Sequence, residues 1–182
     1  MDKELALYLE KIFRDSSSSD ELFDSLNLAL TKKVDSLPLY KILLANQSLS
    51  KDELIMYTEK ITDDFVEHQF DLYMWLAKIF ETFYSDYNAT ESSLYYYQKA
   101  HLAKPDVCEP LTSALTLYNY EIDYPVNKKV LKLVNTALPS VKKKSVIFGE
   151  MAKHYKKTGK KDLFEKFMSL AEKSSKKENY KK

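Results

Sequence analysis

Only two glycines, Gly149 and Gly159, occur in the 182 residues. That scarcity excludes a glycine-rich phosphate loop and leaves little of the turn chemistry that a sheet protein needs. A single cysteine, Cys108, excludes an internal disulfide and any multi-cysteine metal site. Arginine is almost missing, because 27 of the 28 basic residues are lysine and the exception is Arg14. Nowhere do about 18 apolar residues run together, so no membrane span is expected. The N-terminus mixes Asp2, Lys3, Glu4 and Glu10 into its apolar residues, unlike a secretory signal. A cytoplasmic protein without disulfides is the expectation.

What remains is helix material. Apolar residues make up 45% and charged residues 30% of the chain, a balance typical of globular domains rather than disordered segments. Leu, Lys, Glu and Ala, all good helix formers, fill the long segments. The net charge of +1 hides a gradient, since residues 1–98 carry nine basic and eighteen acidic groups and residues 99–182 carry nineteen and nine. The two parts stand at −9 and +10, an asymmetry that can steer partners or favour self-association through acidic N-terminal and basic C-terminal halves.

Helix punctuation is legible along the chain. Lys3 to Arg14 carries Leu5, Leu7, Tyr8, Leu9, Ile12 and Phe13 broadly on one side, and the serine run Ser16–Ser19 breaks it. Asp20 is placed to cap the next helix, with Leu22, Phe23, Leu26, Leu28 and Leu30. Pro38 suits the first turn of a short third helix. Ser50 followed by Glu53 is a capping box. A helical pattern runs from about Asp64 to Tyr84, with Asp63-Asp64 at the positive end of its dipole. A polar gap spans Ser85 to Thr90, and a helix from Glu91 to Ala103 is stopped by Pro105. Further helices are predicted near 107–121, 126–138, 144–157 and 161–175, followed by a frayed polar tail over 176–182. About ten helices joined by short connections pack as antiparallel neighbours.

Three stretches share a pattern. Tyr73, Leu76, Ala77 and Phe80 are followed by Ser93, Tyr97, Ala100 and Pro105. A more degenerate copy runs through Leu111, Ala114, Leu115 and Tyr118, then Val130, Val134 and Ala137. A third runs through Phe148, Met151, Ala152 and Tyr155, then Phe164, Met168 and Ala171. This spacing of small and aromatic residues resembles the tetratricopeptide repeat. Small residues at Ala77 and Ala100 let helix backbones approach, and the aromatics fill the space between pairs. Ala100, Ala137 and Ala171 stand 37 and 34 residues apart, and 34 is the period of that family. Ser93 follows Phe80 by thirteen positions, and Val130 follows Tyr118 by twelve. Both gaps exceed the family's, and read as hairpins lengthened by about one helical turn.

The resemblance implies an all-α solenoid, a right-handed superhelix of antiparallel helix pairs. Three repeats would span about 70–105, 106–141 and 142–175, with residues 1–69 as divergent repeats or a cap. It also implies a concave groove lined by the first helix of each pair. Positions between the packing residues would face it: Asp71, Met74, Trp75, Lys78 and Glu81; Glu109, Thr112, Ser113, Thr116 and Asn119; Val146, Gly149, Glu150, Lys153 and Lys156. Trp75, the one tryptophan, suits an interface anchor, or else packs beneath the lengthened hairpin. The Lys and Asn clamp with which some members of that family grip chaperone C-termini is not matched, because Met74, Lys78, Val146 and Glu150 occupy its positions.

Catalytic chemistry is not apparent. His68, His101 and His154 lie on separate segments with no Cys, Asp or Glu at a metal-ligand spacing, so no metal site and no cofactor are expected. Partial burial or solvent exposure is the expectation for His101 and His154. Cys108 reads as a plain small residue near a helix start. The chain is therefore read as a non-enzymatic adaptor or scaffold that holds a segment of another protein in its groove. One alternative is a secretion-type chaperone. Another is binding of RNA or an anionic surface through Lys128-Lys129, Lys142–Lys144, Lys156-Lys157 and Lys160-Lys161. The lack of arginine and of an aromatic stacking motif in that half weighs against nucleic acid.

Overall fold

The computed structural model describes residues 3–83 and 87–180, and among them every regular element is helical. Ten α-helices follow in order: α1 (Lys3–Asp15), α2 (Ser19–Thr31), α3 (Leu37–Leu44), α4 (Lys51–Asp64), α5 (Gln69–Phe83), α6 (Tyr87–Ala103), α7 (Glu109–Thr116), α8 (Pro125–Ala137), α9 (Lys144–Lys157) and α10 (Lys161–Asn179). Single 3-10 turns, Val66–His68 and Leu138–Ser140, follow α4 and α8. No described helix is long and apolar enough to cross a membrane. The chain divides inside α5 into two compact units, Met1–Ile79 and Phe80–Lys182. The predicted segment end at Tyr84 and the start of the gap at Ser85 lie outside the described residues.

In the first unit α1 contacts α2 and α3, α4 contacts α3 and α2. The core is Leu9, Phe13, Leu22, Leu26, Tyr40, Leu43, Tyr57 and Ile61, none more than 1% exposed. Leu7 and Tyr8, placed on the apolar side by sequence, are 69% and 53% exposed. The true stripe of α1 advances by three and four from Leu9 to Ile12 and Phe13. Ser18, not Asp20, caps α2, accepting the amide of Glu21 at 3.3 Å. The Ser50–Glu53 capping box is present in both directions. Asp63 and Asp64 close α4 rather than open a helix, and Asp64 meets Lys33 Nζ at 3.0 Å. Asn46 donates to the carbonyls of Phe13 and Ser16, each at 2.9 Å, and so ties the α3–α4 turn to the end of α1.

In the second unit α7 contacts α6, α8 and α9, α6 contacts α8, and α10 lies along α9. Leu111, Ala114, Val126, Val130, Val134, Ile147, Met151 and Ala152 form its core. Helix α6 starts at Tyr87, four residues before the sequence-predicted Glu91. The predicted helix over 107–121 is cut short at Thr116, so the extra length in the second copy is loop rather than helix. Buried Asn127 explains why. Its amide donates to the carbonyl of Asn119 at 2.8 Å and accepts the Asn119 N–H at 2.9 Å, folding residues 117–124 onto the start of α8. The polar tail, expected to fray, is helical through Asn179. There Glu178 accepts from the Ser145 N–H at 3.1 Å and the Ser145 hydroxyl at 2.5 Å, a carboxylate at the positive end of α9.

Two turns share one geometry. Lys33 (φ 49°) and Gly159 (φ 70°) both end a helix in the left-handed region. In each the next amide reaches back five residues, Val34 to Ala29 at 2.9 Å and Lys160 to Tyr155 at 3.0 Å. Asn127→Ala leaves the part-buried loop amide and carbonyl of Asn119 without their partner, and should cost about 1–3 kcal/mol in denaturant unfolding. Glu178→Ala removes a cap, and its expected cost is nearer 1 kcal/mol. A Glu178→Ala protein as stable as wild type would mean that α10 ends before it reaches the start of α9.

Candidate functional site

Adjacency of α7 and α9 sets nine of the predicted groove positions on neighbouring helices. On α9 they recur at three- and four-residue steps. Val146 is 41% exposed, Lys153 and Lys156 are exposed, and Gly149 and Glu150 are half-buried. Lys153 reaches Glu150 at 2.7 Å, and Lys156 lies 5.9 Å from the Phe164 ring. A Cβ built on Gly149 meets nothing within 4 Å. No close approach within the described residues therefore requires a glycine at this helical position, which is disfavoured by about 1 kcal/mol against Ala.

The α7 side of this face is partly committed to the fold. Tyr97, fully buried on α6, donates its hydroxyl to Glu81 Oε2 at 2.6 Å. Thr116 Oγ1 lies 3.0 Å from the other oxygen of Glu81 and 2.6 Å from the Ser113 carbonyl. Ser113 and Ser93 also bond the Tyr97 hydroxyl. Burial, together with the Glu81 carboxylate, holds Tyr97 far above the ordinary phenol range, so it stays a neutral donor. Glu81, Ser113 and Thr116, placed by sequence on the groove side, thus serve an internal network that joins α6 to α7. Thr112 donates to Glu109 within its own helix. Asn119 is corrected most clearly. It lies beyond the end of α7, and its side chain accepts the loop amides of Glu121 and Ile122.

In the first unit, Met74 is buried at 9% exposure and offers no free surface, while Asp71 is half-buried and Lys78 exposed. Trp75 is half-buried, and its indole Nε1 is sealed from solvent with no hydrogen-bond partner. The Lys41 ammonium sits 5.5 Å from the Trp75 ring centroid, a cation–π contact that fastens the indole to α3. Among the packing positions, Tyr73, Leu76, Ala77, Phe80, Ser93, Tyr97, Ala100, Ala114, Ala137 and Ala152 are buried. Tyr118, Tyr155 and Ala171 are half-buried, and Pro105 is exposed. The hydroxyl of Tyr73 reaches Thr62 at 3.2 Å, and Phe80 stacks on Tyr96 at 6.0 Å.

Two histidines expected at the surface, or only partly covered, are buried. His101 is 6% and His154 is 3% exposed. Ser140 donates to the Ala137 carbonyl at 2.7 Å, so toward His101 Nε2, 3.3 Å away, its hydroxyl accepts. That assigns the proton to Nε2 and leaves Nδ1 buried without a partner. His154 Nδ1 meets the Tyr120 hydroxyl at 3.1 Å, and its ring lies edge-on to Tyr118 and Tyr155 at 4.4 Å and 4.9 Å. Burial lowers both from 6.5, with the Lys160 charge adding to the effect at His154. Sequence reasoning missed these positions because their partners stand 34 and 39 residues away. It missed a third grouping for the same reason: Asp35, Glu67 and His68 lie together. Cys108 is half-buried at the N-cap of α7.

No family model, curated protein or solved structure matches this chain. The burial of the two imidazoles nevertheless has a measurable consequence. A lowered folded value means that the unfolded chain takes up protons first, so stability is full above about pH 6.5 and declines as pH falls below it. The melting temperature of the full chain should fall by several degrees between pH 7 and 5. His101→Gln with His154→Gln should flatten that slope, whatever it does at pH 7. An unchanged slope in the double variant would assign the acid sensitivity to other groups.

Proposed function

We propose that this chain is a non-catalytic protein-binding module of tetratricopeptide-like stacked helix pairs. Its α7–α9 face takes a segment of another protein. The order of helix contacts supports the architecture. In the first unit the first helices α1 and α3 meet, as do the second helices α2 and α4. In the second unit α7 and α9 meet, and so do α6 and α8. First helices beside first helices and second beside second are what stacked hairpins require.

The observation that carries the binding reading is the open surface at Gly149. A helical glycine that no internal contact demands lies between exposed Val146 and Lys153. It lets a foreign backbone come close to α9, with lysines beside it to meet polar or acidic groups. A solvated face with no partner would favour alanine there, since alanine stabilises the helix.

Gly149→Ala should raise stability by about 1 kcal/mol in urea unfolding. A partner captured from native lysate by wild type should be lost at least tenfold with Gly149→Leu, while Lys132→Glu, an exposed position on α8, should retain it. Equal recovery by all the variants, or no specific recovery with wild type, would defeat the proposal.

A further inference from the structure

In the first unit the turn after α2 is held against the turn after α4. The Tyr40 hydroxyl donates to the Val34 carbonyl at 2.7 Å, and the Tyr40 ring packs on Phe65 at 5.6 Å. Lys33 pairs with Asp64 across the two turns at 3.0 Å, and Phe65 supports the His68 ring at 5.9 Å. The result is a cluster assembled from two parts of the chain. Asp35 Oδ1 lies 2.6 Å from His68 Nε2, and the donor atoms of Asp35, Glu67 and His68 all fall within 4.8 Å of one another.

The geometry points to a divalent-metal site made by Asp35, Glu67 and His68, with zinc as its best-matched ion. Donors about 2.0–2.2 Å from a tetrahedral zinc stand roughly 3.3–3.6 Å apart, and side-chain rotation within a 4.8 Å cluster closes to that span. One imidazole with two carboxylates is a mixed nitrogen and oxygen set, which suits zinc better than calcium or magnesium, whose ligands are oxygens. An ion pair needs one carboxylate beside His68; the second, Glu67, brings a further carboxylate oxygen within 4.8 Å of the other two ligand atoms. The three side chains range from half-buried His68 to exposed Asp35 and Glu67, so water completes the coordination.

Binding exchanges one contact for another. The hydrogen bond between His68 Nε2 and Asp35 opens, and the Nε2 proton moves to Nδ1 or is released, so that the lone pair meets the metal. The rest of the cluster changes little, because the two turns are already clamped by Tyr40, Phe65 and the Lys33–Asp64 pair.

The full chain, stripped with chelator, is titrated with zinc by calorimetry, and separately with magnesium and calcium. One equivalent of zinc should bind, with magnesium and calcium at least tenfold weaker. His68→Ala should abolish the event. Glu67→Gln, an exposed and nearly isosteric change, should weaken it about tenfold or more without altering the metal-free melting temperature. Cys108→Ser should bind as wild type does. Zinc should also raise the wild-type melting temperature and leave that of His68→Ala unchanged. The assignment is overturned if no zinc binds, if His68→Ala retains the equivalent, or if Cys108→Ser loses it.

Discussion

Every helix end leaves amides and carbonyls that need partners, and in a chain with two glycines side chains from neighbouring turns and helices supply several of them. This constraint organises the molecule. Asn46 serves two carbonyls at the end of α1, Ser50 and Glu53 serve the start of α4, and Glu178 serves the start of α9. Asn127 serves the long loop before α8. Each of these side chains comes from a different turn or helix than the one it completes, or closes a turn on itself. Local structure and helix packing are therefore coupled: a cap is lost when its donor helix moves. Where a left-handed residue is unavoidable, one of the glycines takes it at residue 159, and Lys33 takes the equivalent place after α2.

The same economy places polar groups inside the second unit. Tyr97, Glu81, Ser93, Ser113 and Thr116 form a network between α6, α7 and the end of α5. Fully satisfied, such a network fixes one arrangement of its helices, because any other leaves buried polar groups unpaired. The histidines are less well served. His101 has one ring nitrogen without a partner, and His154 is wrapped in tyrosines with Lys160 nearby. Neutral imidazoles fit these sites and imidazolium does not, which ties the packing of α6 and α9 to pH.

These commitments narrow the surface on which a partner could be held. Ser113 and Thr116 on α7 are occupied by the internal network, whereas α9 keeps Val146, Gly149 and Lys153 clear of it. The proposed protein-binding role thus rests on α9 more than on the wide groove that the repeat pattern implies. The cluster of Asp35, Glu67 and His68 is separate in kind. It arises from how two turns are clamped in the first unit and owes nothing to the repeat.

Sequence by itself determined the helical class, the capping box at Ser50, the short third helix at Pro38 and the small and aromatic positions that are buried around Ala77, Tyr97 and Ala100. These are local matters of period, cap and side-chain size, legible within one or two turns. Tertiary structure alone decided which stripe of α1 is buried, why α7 stops at Thr116, and that the tail continues as helix to cap α9. It also decided which histidines lose water and which one meets two carboxylates. Each of those outcomes depends on groups more than about thirty residues apart, or on a loop whose path a single buried amide sets. Periodicity reports which side chains turn inward, and it carries no record of what they meet there.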